Sequence, residues 1–133
     1  MSGERILAVD DNESNLRLVS LLLAGRGYQV ETAADAGEAL AVLERFHPQL
    51  ILLDLQLPDV DGLELTRRLK ADPRTRDITI VAVSAYAMKR DAESAVAAGA
   101  DGFISKPIEK NSFREAVARY LRGGGGENDE RNG

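Results

Sequence analysis

Five residues whose side chains could do chemistry each follow a short apolar run. Asp10 and Asp11 follow ILAV, Asp54 follows LILL, Ser84 follows ITIVAV, and Lys106 lies in the segment Ser105–Lys106–Pro107 that follows GFI. Three carboxylates held close together would raise one another's pKa, and a hard cation such as Mg²⁺ relieves that repulsion. A hydroxyl and an amine beside such acids would suit phosphoryl transfer, which depends mostly on positioning and charge neutralisation.

Short apolar runs alternate with amphipathic stretches along the chain, and this pattern predicts five strands and five helices. The predicted strands are 6–9, 28–33, 50–53, 78–83 and 102–104, and the predicted helices are 16–23, 36–46, 63–69, 89–98 and 111–121. Asp35 is the expected N-cap of the second helix, with Glu38 as its capping-box partner. The alternation and the short connections predict an α/β fold, a doubly wound five-stranded parallel sheet covered by helices on both faces.

The predicted topology would bring the polar residues together. Ligands of open parallel α/β sheets bind beyond the carboxyl ends of the strands, and all of these residues follow strands there. Each feature alone has an ordinary structural interpretation: Asp11 or Asn12 could cap the first helix, and a Lys–Pro pair after a strand is usually a loop. Burying Asp54 behind a core strand is costly without a purpose, however. The combination therefore favours a site over a set of unrelated turns.

Composition and charge limit the possible functions. The 133 residues are enough for one domain, with 44% hydrophobic and 29% charged residues. The absence of cysteine excludes disulfides and thiolate chemistry, and His47, as the single histidine, cannot form a histidine-rich metal site. The net charge of −5 argues against nucleic-acid and anionic-membrane partners.

The chain ends suggest a cytoplasmic protein with a flexible tail. The N-terminus lacks the apolar stretch of a signal peptide, and no apolar run approaches the roughly 18 residues of a membrane helix. We therefore expect a cytoplasmic location. The folded domain is predicted to span 1–122, and the segment 123–133, GGGGENDERNG, is expected to be a flexible Gly-rich acidic tail.

Four motifs give the chain a resemblance to a known family. They are ILAVDDN, LILLDLQLPDVDG, IVAVSAYA and GADGFISKPI. Together they resemble the receiver domains of response regulators in two-component signalling, over Arg5 to about Leu121, with no output domain in the sequence after the last helix. The resemblance implies a flavodoxin-like fold with strand order 2-1-3-4-5.

The resemblance also implies roles for the acidic residues. Asp54 would be the phosphoacceptor. Asp10, Asp11 and Asp54 would bind Mg²⁺, Asp11 more directly than Asp10, and the backbone carbonyl of Gln56 would be a further ligand. The cofactor expected from the resemblance is therefore Mg²⁺.

Further positions correspond to the switch of the family. Ser84 would be the hydroxyl that hydrogen-bonds the phosphoryl group, and Lys106 would pair with that group. Phe103 stands where the family has its switch aromatic residue, although plain core packing remains an alternative for this ring.

The resemblance implies structural roles at two loops. Pro58 and Gly62 would shape the loop after the third strand, and the Lys106–Pro107 bond is expected to be cis. Tyr86 could shield the acyl phosphate and slow its hydrolysis.

The resemblance implies a phosphoacceptor switch and not an enzyme. The donor would be a histidine kinase or a histidine phosphotransfer protein, and the target would bind the face of the fourth helix, fifth strand and fifth helix. We expect a monomer or weak dimer. The chain could instead be a receiver excised from a hybrid histidine kinase, or a phosphorylation-independent adaptor. A further alternative is an aspartate-nucleophile phosphatase. Such enzymes commonly have a second aspartate two residues after the nucleophile, and this chain has Gln56 there, which cannot exchange a proton.

Overall fold

The apolar runs of the sequence form the strands of one sheet. In the computed structural model, which describes residues 3–85 and 89–123, the strands are β1 (Arg5–Val9), β2 (Gln29–Ala33), β3 (Leu50–Asp54), β4 (Thr79–Ser84) and β5 (Gly102–Ser105). Their order is β2-β1-β3-β4-β5, and every neighbouring pair is parallel. The predicted fold class and strand order are therefore confirmed.

The register of the sheet aligns the carboxyl ends of its strands. Val9 pairs with Leu53, Asp54 with Val83, and Ser84 with Ser105. Asp10 follows β1 directly, so it lies at the same edge as Asp54 of the neighbouring strand β3. This alignment gathers residues that are far apart in sequence along one rim of the sheet.

Five helices cover the two faces of the sheet in the described part of the chain. They are α1 (Glu13–Ala24), α2 (Ala36–Leu43), α3 (Gly62–Ala71), α4 (Lys89–Ala97) and α5 (Lys110–Gly123). On one face, residues of α1 and α5 such as Leu23 and Phe113 pack with Ile6 of β1. On the other, residues of α2 and α3 pack with Leu7, the next residue of β1. Alternate strand residues thus serve two separate core layers, as expected for a sheet buried on both faces.

Side-chain caps start the helices that lead away from the rim. Asn12 caps α1 by accepting the N–H of Asn15 at 3.0 Å, and Asp61 caps α3 by accepting the N–H of Leu63 at 2.8 Å. A cap satisfies backbone donors that have no partner within the helix. Asn12 is thus the cap, one of the two candidates expected from the sequence.

The second helix differs from its prediction at both ends. Asp35 is its N-cap, but the carboxylate of Glu38 accepts the N–H of Ala34 at 2.8 Å instead of the N–H of Asp35. The helix ends at Leu43 and not at Phe46. Phe46 lies beyond that end, and its side chain packs against the α2/α3 core layer, so its apolar character reflects burial and not helix continuation.

Some expectations concern residues outside the described ranges. Tyr86 and the segment 124–133 are among them, whereas Gly123, assigned to the tail from the sequence, is the last residue of α5. Among the residues that the structure describes, no helix has the length and apolar character needed to cross a membrane.

Candidate phosphoacceptor and metal site

Three carboxylates meet at the rim of the sheet. One oxygen each from Asp10, Asp11 and Asp54 lies within 4.8 Å of the others. Asp10 and Asp54 are buried, with exposed fractions of 8% and 4%, whereas Asp11 is exposed to solvent. Hard oxygen donors this close together suit a small hard cation that keeps some of its water ligands. The donor set therefore fits Mg²⁺, with Asp11 on the open side.

A lysine bridges the two buried acids. The Nζ of Lys106 lies 3.1 Å from Oδ2 of Asp10 and 3.5 Å from Oδ2 of Asp54. The lysine directly follows β5, and its backbone N–H donates to the carbonyl of Ser84 at 2.9 Å. The Lys106–Pro107 peptide bond is cis. The end of β5 thus positions the lysine amine beside both buried acids.

The first turn of α1 holds Asp10 on both of its oxygens. The N–H of Asn12 donates to Oδ1 at 2.9 Å, and Nδ2 of Asn15 donates to Oδ2 at 3.3 Å. Asn15 was not singled out from the sequence. Its position three residues after the N-cap Asn12 could have indicated this contact, because that spacing puts its side chain beside the residues that precede the helix.

Burial dominates the electrostatics of Asp54. The pKa of its carboxyl group is raised from 3.8 to about 6, with desolvation as the largest cause, although the N–H of Gln56 donates to Oδ1 at 3.1 Å and opposes the rise. The charge of Asp10 contributes to the raised pKa, and that of Lys106 opposes it. A buried carboxylate beside a second acid carries an unfavourable charge, which a cation would relieve.

The loop between β3 and α3 turns back directly over the end of β3. The buried Gly62 donates its N–H to the carbonyl of Leu55 at 3.0 Å. A Cβ at Gly62 would lie 2.6 Å from both the carbonyl oxygen of Asp54 and the Cα of Leu55. Only glycine allows this approach, whereas Pro58 lies exposed in the middle of the same loop.

Ser84 and Phe103 lie on the two neighbouring strands beyond β3. Ser84 ends β4 and has an exposed fraction of 2%. Phe103 lies on β5 opposite Ala82 and is half-buried against a cluster that contains Ala82, Ala95 and Ala100. The ring thus packs between the sheet and α4, a position compatible with core packing and with a switch residue.

Asp59 is a second residue that was not singled out from the sequence. It lies in the loop before α3, and its two carboxylate oxygens accept the N–H groups of Ala36 and Gly37, each at 3.0 Å. The bond from Ala36 is the main reason that the pKa of Asp59 is lowered. The sequence holds no local signal for this contact, because it depends on how α2 packs beside the loop.

Comparison with known proteins places this geometry in a family. The family described as "Response regulator receiver domain" matches residues 6–118. The polar-differentiation response regulator DivK of Brucella ovis is 42% identical over 116 residues, which cover 87% of this chain and 94% of DivK.

Solved structures agree with this assignment. A CheY-like response regulator receiver domain protein from Methanospirillum hungatei JF-1 has a TM-score of 0.82 and 33% identity, covering 99% of this chain and all of that one. The receiver domain of sensor histidine kinase PA1611 from Pseudomonas aeruginosa PAO1, solved with a magnesium ion coordinated in its active site cleft, has a TM-score of 0.82 and 31% identity. That match covers 91% of this chain and 99% of the other. The chain therefore belongs to the response regulator receiver family.

Proposed function

We propose that this receiver domain is a phosphoacceptor switch that takes a phosphoryl group onto Asp54 in a Mg²⁺-dependent reaction. The observation that carries the proposal is the meeting of three carboxylates within 4.8 Å, with Lys106 bridging the two buried ones. Acids, amine and the neighbouring Ser84 supply the groups that phosphoryl transfer needs for positioning and charge neutralisation.

Asp54 is the acid best placed to react. Both oxygens of Asp10 accept hydrogen bonds from the first turn of α1, and Asp11 is exposed. Asp54 lies between these acids and Ser84 of the neighbouring β4, and its Oδ2 faces Lys106. In the reaction, an oxygen of Asp54 would form a bond to phosphorus while the bond from phosphorus to the donor imidazole nitrogen breaks. The product is an acyl phosphate.

The residues that would hold Mg²⁺ are Asp10, Asp11 and Asp54, with the backbone carbonyl of Gln56 as a further ligand. When bound, the ion would neutralise charge on the acids and on the phosphoryl oxygens. The magnesium ion in the cleft of the Pseudomonas aeruginosa receiver supports this assignment.

The switch would use the groups on the far side of Asp54. A phosphoryl group on Asp54 offers new acceptor oxygens to the Ser84 hydroxyl and to Nζ of Lys106, which would then leave Asp10. A shift of Ser84 would free space into which Phe103 moves. These contacts exist only in the phosphorylated state, so they bias the equilibrium between two conformations.

The output surface would be the face of α4, β5 and α5. Val96 of α4 has an exposed fraction of 63%, so this helix presents an apolar side chain to solvent while the neighbouring Ala95 packs on the core. A downstream protein would bind there, and the phosphoryl donor would be a histidine kinase or a histidine phosphotransfer protein. The domain would act as a monomer or weak dimer, alone or as part of a hybrid kinase.

The experiment that tests the acceptor compares wild-type protein with Asp54→Asn. We expect wild-type protein with Mg²⁺ and a labelled phosphohistidine donor to gain one alkali-labile phosphoryl group, whereas Asp54→Asn gains none. Asp72→Asn, which alters a partly exposed acid at the end of α3, is the control and should be labelled like wild type. Labelling of Asp54→Asn would refute the assignment, and sustained hydrolysis of a phosphomonoester would favour the phosphatase alternative.

A further inference from the structure

A single carboxylate joins the loop after β3 to the second helix. The two oxygens of Asp59 accept the N–H groups of Ala36 and Gly37, each at 3.0 Å, and Oδ1 also accepts the N–H of Val60 at 2.9 Å. Ala36 and Gly37 are the first two residues of α2, so these amides have no acceptor within the helix. They lie at the positive end of the helix dipole, which favours an anion at this place.

The rest of the same loop is anchored at separate points. Leu57 and Val60 pack against the α2/α3 core layer, and Gly62 closes the base of the loop through its bond to Leu55. Residues 55–61 have no helix or strand, so the loop backbone is held by these contacts, by Asp59, and at its start by the N–H groups of Leu55 and Gln56, which donate to Val83 and Asp54. Gln56, whose carbonyl is the proposed metal ligand, belongs to this segment.

Mg²⁺ makes a carbonyl ligand sensitive to such anchoring. The ion requires nearly ideal octahedral geometry at short distances, so a backbone oxygen must be held in place before binding. A loop that moves has to be ordered at a cost of about 1–2 kcal/mol per residue, which weakens the binding that orders it. Each anchor present in the metal-free protein therefore contributes to affinity.

We propose that Asp59 is a positioning residue for the metal site, which fixes the loop 55–61 against the first turn of α2 and thereby fixes the carbonyl of Gln56. This inference rests on the proposed function, because the carbonyl has a ligand role only there. It also couples α2 to the site. By reciprocity, Mg²⁺ binding must strengthen the contact between Asp59 and the amides of Ala36 and Gly37.

Asp35 provides a matched control for the charge of Asp59. Both carboxylates flank Gly37, where an added Cβ would lie 3.5 Å from Asp35 Oδ1 and 3.7 Å from Asp59 Oδ2. Asp35→Asn removes one negative charge from this helix end but keeps a good N-cap, because asparagine caps about as well as aspartate. Asp59→Asn removes the same charge and leaves one oxygen for two amides, so the loop contact is lost in part.

The test is a Mg²⁺ titration of wild-type protein, Asp59→Asn and Asp35→Asn, each shown by denaturation to be folded. We expect Asp59→Asn to bind Mg²⁺ about three- to tenfold more weakly than wild type, at or below the roughly 10- to 100-fold cost of losing a direct partner of a metal ligand. Asp35→Asn should change the affinity less than about twofold, because it leaves both bonds from Asp59 to the amides of α2 in place. Equal affinities in the two variants would overturn the inference.

Hydrogen exchange of wild-type protein gives a second readout that needs no variant. Adding Mg²⁺ should slow exchange of the Ala36 and Gly37 amides. The Leu63 amide, which donates to Asp61, the N-cap of α3, serves as the reference. Unchanged exchange at Ala36 and Gly37 despite Mg²⁺ binding would contradict the coupling. Failure of wild-type protein to bind Mg²⁺ at all would instead refute the proposed function, so the two failures are distinguishable.

Discussion

The buried carboxylate of Asp54 lowers the stability of the folded protein, although the proposed chemistry requires it. Its burial behind β3 and the neighbouring Asp10 together raise its pKa to about 6, because Lys106 offsets only part of their effect. The three acids and one lysine leave an excess of negative charge when all are ionised. Sites that bind cations or transfer charged groups commonly retain such an arrangement at a cost in stability.

The cost predicts a pH-dependent effect of Asp54→Asn on the metal-free protein. A carboxyl group whose pKa is raised on folding contributes stability below its unfolded pKa of about 3.8, and that contribution is lost as pH rises through about 6. Asparagine at this position cannot ionise. The substitution should therefore raise the free energy of unfolding above about pH 6, by about 1–3 kcal/mol from the size of the shift, and change it little below about pH 4.

Urea denaturation with a chelator present, at about pH 4 and about pH 7.5, measures this difference. Asp72→Asn is the control, because the pKa of Asp72 is lowered by its bonds to Arg74 and its loss should not stabilise the protein at neutral pH. A stability gain for Asp54→Asn that is the same at both pH values would contradict burial of the charge as its cause.

At the scale of elements, the strands were predictable and the contact between the loop after β3 and helix α2 was not. The central strands β1, β3 and β4 are built on continuous apolar runs, because both of their faces are covered, and the acids that follow β1 and β3 therefore indicated the rim of the sheet. The end of α2 was missed, because Phe46 continues the apolar pattern while lying beyond the helix. His47 precedes Pro48, and the residue before a proline disfavours helix, which was the unused signal.

The contact of Asp59 with α2 could not be predicted for a different reason. Asp59 and Ala36 are 23 residues apart, and their approach follows from the packing of α2 and α3 on the same face of the sheet. Local sequence determines a cap within one helix, as at Asp35. A cap supplied by another loop depends on the assembled layers, for which a single sequence offers no periodic signal.

Gly62 gives a prediction at the level of the loop between β3 and α3. Gly62→Ala would bring a Cβ within 2.6 Å of the Asp54 carbonyl oxygen and of Leu55 Cα, both backbone atoms that cannot turn aside. We expect a loss of about 1–3 kcal/mol in the free energy of unfolding, as for other overpacked sites. Weaker Mg²⁺ binding should accompany it, because the end of β3 must shift.

Gly37→Ala is the matched control for that substitution. A Cβ at Gly37 has its nearest contacts at 3.5 and 3.7 Å, which is ordinary van der Waals distance. Because alanine favours helix over glycine by roughly 0.5–1 kcal/mol, this variant should be as stable as wild type or more so. Thermal denaturation of both variants decides the matter, and a Gly62→Ala protein as stable as Gly37→Ala would show that the loop tolerates a side chain.

At the scale of the whole molecule, the site and the fold depend on each other. Its residues run from Asp10 to Lys106 and come from the ends of β1, β3, β4 and β5, so they meet only when the complete sheet is formed. Unfolding separates the three acids. A cation that needs all of them therefore binds the folded protein and stabilises it by mass action.

Mg²⁺ should accordingly raise the free energy of unfolding of the wild-type protein, by about 2.7 kcal/mol when its concentration is about 100 times the dissociation constant. The effect should be large at about pH 7.5 and small at about pH 4.5, because Asp54, with a pKa near 6 in the metal-free protein, is mostly protonated at the lower value. Asp54→Asn should show a reduced gain at about pH 7.5 and resemble wild type at about pH 4.5. Denaturation midpoints across a Mg²⁺ series measure this, with NaCl at matched ionic strength as the control. If Mg²⁺ stabilised wild type and Asp54→Asn equally at about pH 7.5, the ion would act elsewhere on the molecule and Asp54 would not be one of its ligands.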